Sequence, residues 1–162
     1  MSLGEYLEAT LDASILDEVV GFWDPDTDTI CEDKATISDH VQRTLGYIAS
    51  HRVPGTALLS YGEGDWDDTL QPAQASMKKD MASTWTIALL YQASSQLERM
   101  LHDVGRHELA QEFADEARRI GSVFSQDFIF DGTLAGYVSF ANGELSPIIH
   151  PSDRRTGIQY RL

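Results

Sequence analysis

Leu3, Leu7, Leu11, Ile15, Leu16, Val19 and Val20 recur mostly three or four positions apart, which predicts helix over about the first 20 residues with a break near Asp12-Ala13-Ser14. Ile37, Val41, Leu45 and Ile48 form one stripe of a second helix, from Ser38 to His51, with Thr36 or Ser38 placed as its N-cap. Met81, Trp85, Leu89, Leu90, Leu97, Leu101 and Val104 give a wide apolar stripe over Asp80 to Val104. Leu109, Phe113, Ala117, Ile120 and Phe124 mark a further helix over His107 to Asp127. The connection Asp103-Val104-Gly105-Arg106 is short, so these last two helices are expected to pack as an antiparallel hairpin. Trp85 and Tyr91, with Met77 and Met81 before them, are assigned to the core side of the long helix.

The intervening segments lack a helical period. Phe22 to Asp33 is rich in turn formers and reads as an acidic loop. Its Asp24, Asp26 and Asp28 alternate as in a calcium loop, but no glycine supplies the sharp bend and Ile30 falls where an oxygen ligand is needed, which favours a solvated turn. Arg52 to Lys79, with Pro54, Gly55, Gly62, Gly64 and Pro72, reads as a long irregular connection, the kind of segment that carries function. After Gln126, the apolar residues Phe128, Ile129, Phe130, Leu134, Tyr137, Val138 and Phe140 are punctuated by Asp131-Gly132 and Asn142-Gly143, which predicts a short β-hairpin. Ser146 to Leu162 shows no period. The expected fold is mainly α with that short β-hairpin near the C-terminus.

A chain of 162 residues with 42% hydrophobic residues can bury a core of its own. Its 26 acidic residues against 12 basic ones give a net charge of −14, and the basic pairs Lys78-Lys79, Arg118-Arg119 and Arg154-Arg155 are scattered. No nucleic-acid or anionic-membrane partner is expected, because counterion release needs a clustered Lys/Arg patch. Cys31 is a lone cysteine and makes no internal disulfide. No apolar run approaches the ~20 residues of a membrane span. Met1-Ser2-Leu3-Gly4-Glu5 lacks the basic start of a signal peptide, so a cytoplasmic location is the expectation.

The five histidines, His40, His51, His102, His107 and His150, form no pair at ligand spacing. They read as solvent-facing helix residues, and no metal is expected. The serines sit in no nucleophile elbow, and Gly62-Glu63-Gly64 is not followed by the Lys-Ser/Thr of a phosphate loop. His150 to Thr156 offers Ser152, Arg154 and Arg155 to an anion, although a solvated tail accounts for it as well.

Chemistry concentrates in Tyr61-Gly62-Glu63-Gly64-Asp65-Trp66-Asp67-Asp68, four carboxylates and an indole in eight residues. A pyranose lies well on a Trp face while carboxylates accept from its hydroxyls, and a desolvated carboxyl can keep a proton for general-acid work. An acidic surface turn with a buried Trp satisfies the same composition.

Gly64-Asp65-Trp66-Asp67-Asp68, preceded by Pro54 and Ala57-Leu58-Leu59, resembles the Gly-Asp-Trp-Asn-Asp motif of glycoside hydrolase family 94, the cellobiose and chitobiose phosphorylases and their cyclic β-1,2-glucan relatives. Tyr6 to Glu18 and Thr36 to Tyr47, with His40, resemble the segments before that motif, and Phe130-Asp131-Gly132 stands where the family has Trp-Asp-Gly. Asp67 replaces the motif's Asn, and Leu134 to Asn142 lacks the arginine usual after Trp-Asp-Gly. The resemblance implies Asp68 as general acid, with Trp66, Asp65, Asp67 and Glu63 binding substrate. It also implies inorganic phosphate as co-substrate, no cofactor, and inverting phosphorolysis of a β-linked disaccharide or oligosaccharide. Inversion by phosphate needs one protein acid, because phosphate takes the place of the activated water.

The implied architecture is a partial (α/α)6 barrel, residues 1–162 forming one segment of a catalytic domain that continues at both ends and is inactive alone. Apolar faces left open by a partial barrel favour self-association into a homo-oligomer. An inverting hydrolase on the same scaffold and a non-catalytic helical binding or assembly module are the alternatives. Phosphate dependence of turnover separates the first of these from a phosphorylase.

Overall fold

The computed structural model describes residues 2–64, 72 and 74–154. Helix predominates, as the hydrophobic spacing requires. Helix α1, Leu3–Thr10, starts on a capping box between Ser2 and Glu5 and ends on Leu11 in the left-handed region. A short 3-10 turn, Ala13–Asp17, follows the break at Asp12, whose carboxylate accepts from the Ser14 N–H. Helix does not resume through Val19 and Val20. They open strand β1, Val19–Asp24, which pairs antiparallel with β2, Thr29–Thr36.

The acidic loop expected over Phe22 to Asp33 is therefore the tip of a hairpin. Its turn is held by Asp24, which accepts from the Asp26 N–H at 2.9 Å and the Thr27 hydroxyl at 2.9 Å. Those bonds, the Thr27 hydroxyl foremost, hold the Asp24 carboxyl below its ordinary pKa. Asp28 adopts φ 56°, a conformation that Asp tolerates better than most residues. The Asp24 carboxylate is thus engaged in the turn itself. Among the described residues no three His, Cys, Asp or Glu side chains converge as metal ligands do.

Helix α2, Ile37–Ser50, begins at Thr36, whose hydroxyl accepts from the Asp39 N–H while Asp39 accepts from the Thr36 N–H. Each partner fills an orphan donor of the first turn. Thr36→Ala is expected to lower stability by about 1 kcal/mol in urea unfolding. The chain then turns at once: Val53 donates to Leu58 O and Ser60 to His51 O, with Gly55 at φ 78° at the bend. This small ladder orders the first part of the connection that was expected to be irregular, and it drives Val53 and Leu58 into the core.

A four-residue helix α3, Met77–Asp80, leads directly into strand β3, Met81–Ser83. The long helix starts after it, as α4, Thr84–Asp103, rather than at Asp80. An apolar run as short as Met81-Ala82-Ser83 does not tell strand from buried helix by period. What decides is pairing with β6, Tyr137–Ser139, whose carbonyl neighbour Gly136 accepts from Thr84 N–H. Helix α5, His107–Phe128, packs antiparallel on α4 through the turn at Gly105, φ 77°, as the short connection predicts.

The predicted β-excursion is present and larger than one hairpin. β4, Ile129–Phe130, and β5, Thr133–Leu134, close on Asp131 and Gly132, both at positive φ. β6 pairs on its other side with β7, Ser146–Ile148, giving a three-stranded sheet in the order β3-β6-β7. The segment from Ser146 onward, which shows no period, thus begins as a strand.

Two apolar clusters hold the helices together. One gathers Val53, Leu58, Ala82, Ile87, Ile120, Phe128, Ala135 and Val138, and joins the helix pair to the sheet. The other packs Leu7 and Leu16 on Met100, Leu101, Ala110 and Phe113. Trp85 and Tyr91 belong to neither: they are 49% and 47% exposed, and Leu89 beside them is 47% exposed. The stripe on α4 is wider than α5 and α1 can cover. The Tyr91 ring instead lies over α5 at Gly121, where a Cβ would stand 3.3 Å from it. No helix of the described residues is long and apolar enough to cross a membrane.

Candidate active site

Asp65, Trp66, Asp67 and Asp68 lie outside the described residues; the structure describes the residues on either side of them. Tyr61 is buried and donates its N–H to Met81 O at 2.6 Å, which adds one residue of backbone to the β3 side of the sheet. Gly62, at φ 64°, then donates to Lys78 O at 2.9 Å. The positive φ turns the chain away from the sheet, a conformation that glycine adopts without a Cβ penalty.

Glu63 is the one expected substrate-binding residue within the described part. Its carboxylate accepts from Lys78 Nζ at 2.7 Å. That hydrogen bond, with the lysine's charge, lowers the Glu63 pKa from its ordinary value. The pairing is accordingly complete above the ordinary carboxylate range and is lost as pH falls through the lowered value. Lys78 gave no signal in the sequence beyond its place in a basic pair.

A second loop meets this base. Tyr61, Met81, Tyr137, Ile148 and Ile149 form a third apolar cluster, in which the Tyr61 and Tyr137 rings lie 6.1 Å apart. Ile149 leads from that cluster into the turn His150-Pro151-Ser152-Asp153 and holds φ 53°, an unusual state for a β-branched residue. His150 and Asp153 are both buried, His150 on no helix, against the expectation of solvent-facing histidines and a solvated tail. The His150 ring has both nitrogens engaged: Ser152 N–H and hydroxyl reach Nδ1 at 3.1 and 2.7 Å, and Nε2 lies 3.1 Å from Phe130 O. A backbone N–H can only donate, so Nδ1 accepts and Nε2 carries the proton given to Phe130. Asp153 accepts from Ile149 N–H at 3.1 Å and donates its own N–H to His150 O at 2.9 Å. Arg154 is exposed, and Arg155 lies outside the described residues.

The remaining histidines are surface residues with ring partners. His40 stacks on Phe22 with ring centres 3.9 Å apart, and His51 on Tyr47 at the same distance. His102 and His107, five residues apart across the α4–α5 turn, meet edge to face at 4.9 Å.

Comparison with known proteins was made over the whole chain. No protein-family model matches the chain. Over 163 aligned positions, 99% of the chain, it is 36% identical to a 1,2-beta-oligoglucan phosphorylase of Listeria innocua serovar 6a. The chain spans 14% of that relative's length. Nearly the whole of this helical and β-hairpin segment is therefore phosphorylase-related.

Proposed function

We propose that this chain carries the general-acid segment of a family 94-like β-oligoglucan phosphorylase. Its similarity across 99% of its length to the Listeria innocua phosphorylase is the observation that carries the reading. In the reaction, an oxygen of inorganic phosphate attacks the anomeric carbon from the face opposite the glycosidic oxygen. The carbon–oxygen bond to the leaving sugar breaks, and that oxygen takes the proton of Asp68. The products are an inverted sugar 1-phosphate and a glucan shorter by one residue. Trp66 gives the sugar ring an apolar face, and Asp65 and Asp67 accept from its hydroxyls.

The exposed Trp85 and Leu89, one turn apart on α4, fit the same reading. In an (α/α)6 barrel this face of α4 is covered by further helices of the domain, and otherwise by a second copy. Such a patch on a surface helix marks an interface.

The test incubates the whole polypeptide with β-1,2-linked glucooligosaccharides, with and without inorganic phosphate, and follows sugar 1-phosphate. Product that forms only with phosphate supports the proposal. Free glucose released equally in its absence identifies an inverting hydrolase, and no turnover in either arm leaves a binding module.

A further inference from the structure

The β1–β2 hairpin is packed on one face only. On that face Phe22 meets α2, where the His40 ring stacks on it at 3.9 Å and the Arg43 guanidinium lies 4.2 Å over it. Alternation along a strand puts Val19, Gly21 and Trp23 on the other face. Ile30, paired across from Trp23, lies there too, since its Cγ2 stands where a Cβ at Gly21 would be. Val19, Trp23 and Ile30 are 58, 59 and 67% exposed. A two-stranded sheet is marginal without packing, yet this one leaves three large apolar side chains in water.

An open apolar face with a polar margin marks a docking surface, and here the margin is acidic. Residues 18–34 hold Glu18, Asp24, Asp26, Asp28, Glu32 and Asp33 against the single cation Lys34. Asp24 is engaged in its turn. The other five are exposed, and none of them forms an ion pair among the described residues. That charge decides between occupants. A second copy in a two-fold contact would set the same carboxylates against one another, on a chain that already carries −14. An apolar surface bounded by lysine or arginine is complementary in both respects. The chain spans 14% of the length of its phosphorylase relative, so on the phosphorylase reading most of the polypeptide lies outside it. Docking within one polypeptide also avoids the cost of bringing two molecules together.

We infer that the face formed by Val19, Trp23 and Ile30 docks on an apolar surface bounded by lysine or arginine elsewhere in the phosphorylase polypeptide. The source of that surface rests on the phosphorylase reading.

The experiment is hydroxyl-radical footprinting of the whole polypeptide, read by mass spectrometry as the oxidation rates of Trp23 and Ile30 in the native protein against the urea-unfolded one. Both are expected to be slowed about tenfold, as at the packed centre of an interface, whereas side chains left 59 and 67% exposed are slowed about twofold or less. Glu32→Lys/Asp33→Lys is expected to raise the native rates about threefold by setting like charge against the basic margin, with Glu32→Gln/Asp33→Asn in between. Phe113, buried in the helical core, stays slow in every variant as the check on folding. Wild-type rates slowed about twofold or less overturn the docking. Slowing that disappears on dilution together with a dimer mass in light scattering assigns the face to a second copy, and a reversed variant as slow as the wild type removes the basic partner; either overturns the proposal. Phosphorolysis is assayed on the same sample. Its absence, with Trp23 slowed and sensitive to the reversal, removes the phosphorylase reading and leaves the docking within the polypeptide in place.

Discussion

Asp68→Asn is expected to fold as the parent does and to lose about 10³-fold in kcat for phosphorolysis of a β-1,2-glucooligosaccharide, the scale of one general acid. Asn keeps the size of the side chain and one acceptor oxygen but holds no transferable proton. On the proposed reading Asp68 supplies that proton, and phosphate, the nucleophile, requires no protein base. The loss should shrink when the leaving group is a phenol of low pKa, which departs without protonation. That dependence on leaving group distinguishes a missing acid from a displaced loop, whose defect falls on every substrate alike. The pH profile adds a second check. The acid must stay protonated to act, so kcat of the parent declines as pH rises past the acid's pKa, and this limb disappears in Asp68→Asn. Like charge nearby keeps a carboxyl protonated. On the proposed reading Asp65 and Asp67 supply that charge, since Glu63 is paired to Lys78. Asp67→Asn is therefore expected to move the limb to lower pH, measured on the same profile.

Much of the helical scaffold was legible because its signals are local. The Thr36-to-Asp39 box starts α2 at a side-chain bond within one turn, and Leu109, Phe113, Ala117, Ile120 and Phe124 place α5 on α4 by spacing alone. Asp131-Gly132 announced the β4–β5 turn in the same way, since both residues accept positive φ. The misses share a different cause. Val19 and Val20 continue a helical period, yet become strand because Thr29 to Thr36 lies across from them. Met81-Ala82-Ser83 is extended because of Tyr137-Val138-Ser139, more than fifty residues later. Pairing of that range leaves no trace in a window of ten residues. Trp85 and Tyr91 mislead for another reason: periodicity tells which residues share a face, and only the tertiary structure tells whether anything covers it. At the candidate site, the residue types of the carboxylate segment were readable and its anchorage was not. Lys78 and the buried His150 and Asp153 acquire meaning through contacts across chain turns that carry no repeat.

Arg52→Ala is expected to destabilise the protein by about 3 kcal/mol in urea unfolding, since removing one partner strands a buried charge. Glu116 lies on the inner face of α5 with its side chain 6% exposed, and its Oε2 takes the Arg52 guanidinium as partner, with Arg119 Nε more distant at 3.6 Å. Its Oε1 and the Arg52 Nε have no hydrogen-bond partner among the described residues, so the carboxylate is already under-satisfied. Without Arg52, Arg119 alone faces it, from a position 52% exposed. The double variant Arg52→Met/Glu116→Met should lie within about 1 kcal/mol of the parent, because apolar groups of similar length leave nothing to neutralise. A double variant as unstable as the single one would show that Arg52 acts by packing its stem, not by charge. The pair also has a bearing on the site. Arg52 opens the short ladder that runs through Val53 and Leu58 to Ser60, and the next residue, Tyr61, is the anchor of the carboxylate segment. Without the ion pair the Arg52 end of that ladder loses its tie to α5. Arg52→Ala should therefore quicken exchange at the Tyr61 and Gly62 amides as well as lower stability, whereas the double variant should leave those two amides as slow as in the parent.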